Sequence, residues 1–143
     1  VSPESFDRVV LNPPYRKQGE GRISPKREKN IACFEGEAGL GDFLQAAAYA
    51  LKNRGRVNVV YPAHSQTHLL QTMLEYKLEP KRMRFVHSRS GDAAVFVLVE
   101  GMKNGGRGVT VQPPLFLYST GKNMYSEQAL EYCPFLKCNS NNR

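Results

Sequence analysis

Pro13 and Pro14 follow almost directly on the apolar run at residues 6–11, and a sheet cannot continue past them. Neither proline can donate a backbone N–H to a ladder, so a strand through Phe6, Val9, Val10 and Leu11 must stop here. The run itself reads as a buried strand, which leaves Asn12 at a strand's carboxyl end. In an open α/β sheet that end is where ligands bind. Proline holds φ near −65° and biases its predecessor toward extended geometry, so the carbonyls of Asn12 and Pro13 are set before any ligand arrives. Asn12 offers a side-chain carbonyl and Pro13 a backbone one, two acceptors for the hydrogens of a planar exocyclic amine. Tyr15 offers a flat face on which a base can stack.

Residues 16–30 carry Arg16, Lys17, Arg22, Lys26, Arg27 and Lys29 against Glu20 and Glu28. Gly19, Gly21 and Pro25 break any period, so the segment is expected as a long loop whose charge suits phosphates. Gly36, Gly39 and Gly41 lack the G-x-G-x-x-G order of a nucleotide-binding turn and follow no clear strand, so they read as loop and helix start. Asp42 is expected to cap a helix in which Phe43, Leu44, Ala47, Ala48 and Leu51 recur at helical spacing, closed by Gly55. Residues 56–61 read as a second strand, ended by Pro62, and strand, helix and strand together predict a right-handed parallel crossover.

A second helix starting near Ser65 is expected to bury Leu69, Leu70, Met73 and Leu74 and to reach toward Leu78. His64 and His68 stand four apart, as metal ligands can. They lack the glutamate of a His-Glu-x-x-His helix and a third ligand nearby, so no metal is expected and they read as polar residues of the helix's first turn. Residues 81–87 and 93–99 read as strands, and the link at 88–92 is too short for a helical crossover, so the two must pair antiparallel. Extended pieces at 109–111 and 115–118 and a short helix at 126–133 follow. The domain is expected to cover residues 1–132, with a disordered tail at 133–143.

The chain has 143 residues, 41% hydrophobic and 23% charged, which suits one globular domain or a large part of one. A net charge of +7 implies a polyanionic partner, because phosphate contacts come mainly from Lys and Arg. Arg82, Arg84 and Arg89 make a second basic cluster after the loop at 16–30. No apolar run approaches the roughly 18 residues of a membrane span, and the first residues have neither a basic nor an apolar leader-like region. Three cysteines without paired spacing suggest a reducing cytoplasm. The sequence starts without methionine, a few residues before its first strand, and an upstream segment is therefore expected.

Asn12-Pro13-Pro14-Tyr15 after an apolar strand resembles the catalytic motif of S-adenosylmethionine-dependent amino methyltransferases, which modify adenine N6, guanine N2 or a glutamine amide. The segments from Arg27 to Glu35, Glu79 to His87, Leu98 to Gly101, Pro113 to Tyr118 and Tyr125 to Glu127 are together similar to bacterial tRNA adenine-N6 methyltransferases. Those enzymes modify the adenine beside the anticodon of a valine tRNA. The resemblance implies an α/β fold, the carboxy-terminal half of a Rossmann-like class I methyltransferase fold, with parallel strands and helical crossovers ending in an antiparallel hairpin. It implies S-adenosyl-L-methionine as cofactor and tRNA as partner. Asn12, Pro13, Pro14 and Tyr15 would be catalytic, with Asn12 also facing the cofactor. Arg16, Lys17, Arg22, Lys26, Arg27, Lys29, Arg82, Arg84 and Arg89 would contact RNA. The family's glycine-rich turn and its acidic ribose-holding residue have no counterpart here, so the chain alone is expected to bind the cofactor poorly and to be inactive. Two alternatives stay open: a methyltransferase for guanine N2 in ribosomal RNA, adenine N6 in DNA or a protein glutamine amide, and a non-catalytic RNA-binding module.

Overall fold

A computed structural model describes residues 2–14, 39–119 and 124–136. Strand β1 (Phe6–Leu11) is followed by helix α1 (Leu40–Ala50) and strand β2 (Leu51–Pro62). A 3-10 turn at Ala63–Ser65 leads into α2 (Gln66–Glu75), and β3 (Leu78–His87) and β4 (Ala94–Lys103) come next. The short strands β5 (Thr110–Val111) and β6 (Leu115–Phe116) and the helix α3 (Glu127–Tyr132) complete the order. The strands form one sheet in the order β1-β2-β4-β3-β5, with β6 also on β3.

β1 and β2 are parallel, as the strand, helix and strand pattern requires. β4 lies between β2 and β3 and is antiparallel to both, so the hairpin expected from the short link places its second strand inside the sheet. β5 and β6 run parallel to β3 on its outer side. Every strand except β4 therefore points the same way, and their carboxyl ends share one edge.

The helices α1 and α2 cover one face. Leu44, Leu69, Met73 and Leu78 meet Val57, Val59, Val97 and Val99 in the main core, and each such fully buried aliphatic side chain contributes about 1.5–3 kcal/mol. Gly101 is fitted to this packing: a Cβ there would stand 2.4 Å from Met73 Cε and 3.1 Å from Val57 Cγ1. Residues one position out of phase, Arg56, Glu100, Arg82 and Leu98, fall on the opposite face.

Several expectations change in detail. α1 stops at Ala50, not at Gly55, because Glu4 and Ser5 donate their N–H groups to the carbonyls of Tyr49 and Ala50 (3.0 and 2.9 Å) and so satisfy the helix end from outside. Leu51 is fully buried, but as the first residue of β2, paired with Phe6. Residues 52–55 then loop out through Arg54 at φ +63° before Arg56 pairs with Arg8. Gly55 is needed in that loop, since a Cβ would lie 2.9 Å from the Lys52 carbonyl. Asp42 is not the cap itself: Gly39 is, and its N–H donates to Asp42 Oδ2 (2.7 Å) from one turn earlier. α2 ends at Glu75, and Lys77 at φ +57° turns Leu78 into β3 instead of the helix. Leu74, expected in the core, is exposed. β3 accepts Pro80 through a register slip between Pro80 and Arg82, which tolerates the missing donor.

The largest correction concerns β1. It pairs on one side only, with β2, and Val10 is 75% exposed while Phe6 is 46% exposed. Its apolar composition reports a strand correctly; its burial depends on neighbours that the described residues do not supply.

Candidate active-site edge

Asn12 leaves β1 at the shared carboxyl edge, one residue beyond the pairing of Leu11 with Val59. Pro13 is fully buried and anchors the turn, whereas Asn12 and Pro14 on either side are exposed. The motif thus has a fixed centre, with Asn12 exposed beside it at the carboxyl edge. A hollow of about 450 Å³ runs from Asn12 across the open sheet face, past Asn58, Leu98 and Glu100, to Arg84 and Tyr132. Tyr15 lies outside the described residues.

The floor of this hollow is a charged cluster that sequence order conceals. Glu100, only 5% exposed, accepts Arg82 Nε at 3.1 Å on Oε1 and Arg82 Nη2 at 2.8 Å on Oε2. Arg56 Nη1 donates to Oε1 at 2.5 Å, and Arg8 Nη1 stands 3.8 Å from Oε2. The register explains the meeting, for Arg82 faces Glu100 across β3 and β4, and Arg8 pairs with Arg56. The Arg82 hydrogen bonds hold the Glu100 carboxyl below the usual glutamate range, against burial that pushes it up, with the Arg56 charge adding to the depression. The same contact raises Arg82. Asn58, opposite Glu100 on β2, has its Nδ2 buried with no hydrogen-bond partner among the described residues.

The basic residues picked out by sequence fare differently from one another. Arg16, Lys17, Arg22, Lys26, Arg27 and Lys29 lie outside the described residues. Arg82 is engaged by Glu100. Arg84 donates to the Tyr132 hydroxyl and lies over its ring, 5.1 Å from the centroid. Arg89 lies 5.4 Å from the ring centroid of Tyr118. His64 falls in the 3-10 turn and His68 in the first turn of α2, and no group of metal-ligating side chains occurs among the described residues. No helix among them is long and apolar enough to cross a membrane.

Sequence reasoning missed an aromatic group at the same edge. Tyr118 and Tyr125 form an antiparallel bridge with rings stacked at 5.2 Å and 18°. His87 and Phe116, paired in register across β3 and β6, are 5.4 Å apart. The available signal was Tyr118 at the end of the extended piece at 115–118 and Tyr125 just before the last helix, but the pairing itself follows from register.

No family model matches the chain. Over 128 residues, 90% of its length, it is 30% identical to the tRNA1(Val) (adenine(37)-N6)-methyltransferase of Actinobacillus succinogenes, spanning 51% of that protein. The protein of the same name from Pasteurella multocida is 34% identical over 70 residues, 48% of this chain and 29% of that one. A solved structure from Agrobacterium tumefaciens, described as a predicted O-methyltransferase, superposes with a TM-score of 0.68. It covers 96% of this chain and 53% of its own, at 18% identity. The chain belongs to the class I methyltransferase fold. Its resemblance to the tRNA adenine-N6 methyltransferases, drawn from Asn-Pro-Pro-Tyr and the later segments, is borne out. The parallel strands, helical crossovers and closing antiparallel hairpin of this methyltransferase sheet are those expected. The chain spans about half the length of the Actinobacillus relative and less of the Pasteurella one.

Proposed function

We propose that this chain is the substrate-side part of an S-adenosylmethionine-dependent methyltransferase acting on the N6 amine of an adenine in the anticodon region of a tRNA. The observation that carries the reading is Asn12-Pro13-Pro14 at the carboxyl end of β1, with Pro13 buried and Asn12 exposed. The names of the two similar proteins supply the substrate class.

An adenine amine is a poor nucleophile because its lone pair is delocalised into the ring. Asn12 Oδ1 and the Pro13 carbonyl would accept its two hydrogens and favour the positive charge that grows on nitrogen as it pyramidalises, which is catalysis by preorganised dipoles. The rigid turn removes the need to reorganise those acceptors at the moment of reaction. Unstacking the target base costs roughly a few kcal/mol, least where it is already unpaired, as in an anticodon loop. S-adenosylmethionine supplies the methyl group when bound. Of the described residues only Asn12 suits its reacting end. The one carboxylate in the adjoining hollow, Glu100, is engaged by Arg56 and Arg82 and does not suit a ribose. No carboxylate lining this hollow is therefore placed to hold the nucleoside part of the cofactor, and weak binding of it by this chain is expected in calorimetric titration.

The test is transfer of labelled methyl by the full-length protein offered unmodified tRNA, ribosomal RNA, DNA and protein in parallel. Label in tRNA as N6-methyladenine, lost with Asn12→Ala, supports the proposal. Label in another substrate moves the assignment to that class, and label in none favours a binding module.

A further inference from the structure

The methyl transfer outlined above makes no use of the aromatic group at the far side of the carboxyl edge. We propose that Tyr118, Tyr125 and Arg89 form a second binding site, a stacking shelf for unpaired RNA bases that flank the base held at Asn12. The proposal rests on the reading of the substrate as RNA and adds a site to it.

Both tyrosines are fixed by backbone contacts. The Tyr118 N–H donates to the Ser88 carbonyl (2.9 Å), which ties it to the turn that carries Arg89. Beyond the bridge, the Ser119 N–H donates to the Met124 carbonyl (3.0 Å), the Ser126 N–H to Leu117 (2.9 Å), and Ser126 Oγ to the Phe116 carbonyl (2.5 Å). The two rings are thereby held stacked, and Arg89 adds a flat cation 5.4 Å from Tyr118. All three side chains are half-buried, so each keeps surface toward solvent. A cross-strand tyrosine pair alone would do no more than stabilise a hairpin. Here it stands with a guanidinium at the ligand-binding edge of a chain of net charge +7, and tyrosine and arginine planes are the surfaces on which splayed bases stack.

The spacing suits one RNA strand touching both sites. β3 is three strands from β1 and β6 is four, which at about 4.8 Å per strand is roughly 14–19 Å across the sheet. A few nucleotides of single strand bridge that distance. A duplex keeps its base faces covered, so the shelf selects loops.

The experiment uses the full-length protein and a stem-loop RNA carrying 2-aminopurine at one loop position at a time. Quenching is expected at one or two positions other than the methylated adenine. Tyr118→Leu and Tyr125→Leu should abolish it and raise Kd about fivefold to a hundredfold, the effect of one lost base stack, with the slope of log Kd against log salt unchanged. Tyr118→Phe and Tyr125→Phe should keep both quenching and affinity. Leu and Phe variants that bind alike, or a wild-type protein that quenches at no flanking position, would overturn the shelf; so would a DNA stem-loop that binds and quenches equally. Should the Leu variants not fold, wild-type and Phe-variant quenching still decides. Quenching without methylation of any RNA removes the proposed function and leaves the shelf, and methylation without quenching does the reverse.

Discussion

Replacing Glu100 by glutamine tests whether the arginine cluster under the hollow stabilises the sheet. The side chain keeps its shape but loses its charge and gains an NH2 that faces donors. Three charge-assisted hydrogen bonds end on this carboxylate, two from Arg82 and one from Arg56. Truncating one partner of a fully buried pair costs about 3–5 kcal/mol, but Arg56, Arg82 and Arg8 are 37%, 54% and 59% exposed. Water rehydrates those arginines once the carboxylate is gone, so the loss for Glu100→Gln is reduced to about 2 kcal/mol. In urea, with a slope of about 1–3 kcal/mol per molar, the midpoint should fall by about 1 M. The carboxyl is depressed in the folded state, so its contribution is fully present above the unfolded glutamate value of about 4.3. It is lost as pH falls through the lower folded value. The gap between wild type and variant should hold steady from pH 7 to about 5 and close in more acid solution. A midpoint shift under about 0.3 M, or a gap erased by 0.5 M salt as for exposed pairs, would refute the argument that this carboxylate acts from a desolvated position.

On the proposed function, Asn12→Ala in the full-length protein should lower turnover about 100- to 1000-fold with little change in RNA affinity, as measured by labelled methyl transfer beside filter binding. Gly101→Ala forces Met73 and Val57 to give way and should cost about 1–3 kcal/mol in thermal unfolding; no loss would mean that α2 sits further from the sheet. Ser126 Oγ accepts the Ala129 N–H (3.0 Å) at the start of α3, so Ser126→Ala should cost about 1 kcal/mol and Ser126→Asp distinctly less, by the same measurement. Reversing the charge of Arg16, Lys17, Arg22, Lys26, Arg27 and Lys29 should weaken all RNAs alike and flatten the salt dependence, each lost phosphate contact removing nearly one unit of slope.

Local rules read well wherever the deciding group is a neighbour in sequence. Pro13 and Pro62 end their strands by their own chemistry, and the link between β3 and β4 is simply too short for anything but an antiparallel turn. The misreadings have distant causes. α1 ends where Glu4 and Ser5 reach its carbonyls, so Leu51 looks helical by spacing and is a strand residue in fact. Val10 has the composition of a buried strand, yet burial is a property of neighbours on both sides. Asn12 was legible as a candidate because the motif is contiguous; Tyr118 with Tyr125 was not, because register alone makes them a pair.

Arg82 shows how this bears on function. By sequence it belongs with Arg84 and Arg89 as a phosphate contact, whereas in the sheet its guanidinium is turned onto Glu100. That does not make the open face neutral. Arg8, Arg56 and Arg82 converge on a single carboxylate, so three positive charges meet one negative and two remain in excess. A carboxylate in that position fixes the arginines' directions at the cost of one unit of charge, and side chains held in place lose less freedom when an anion arrives. The partly exposed guanidiniums beside the Asn12 hollow thus keep a net positive field on the side from which a polyanion would approach, and Glu100 orders that field without cancelling it.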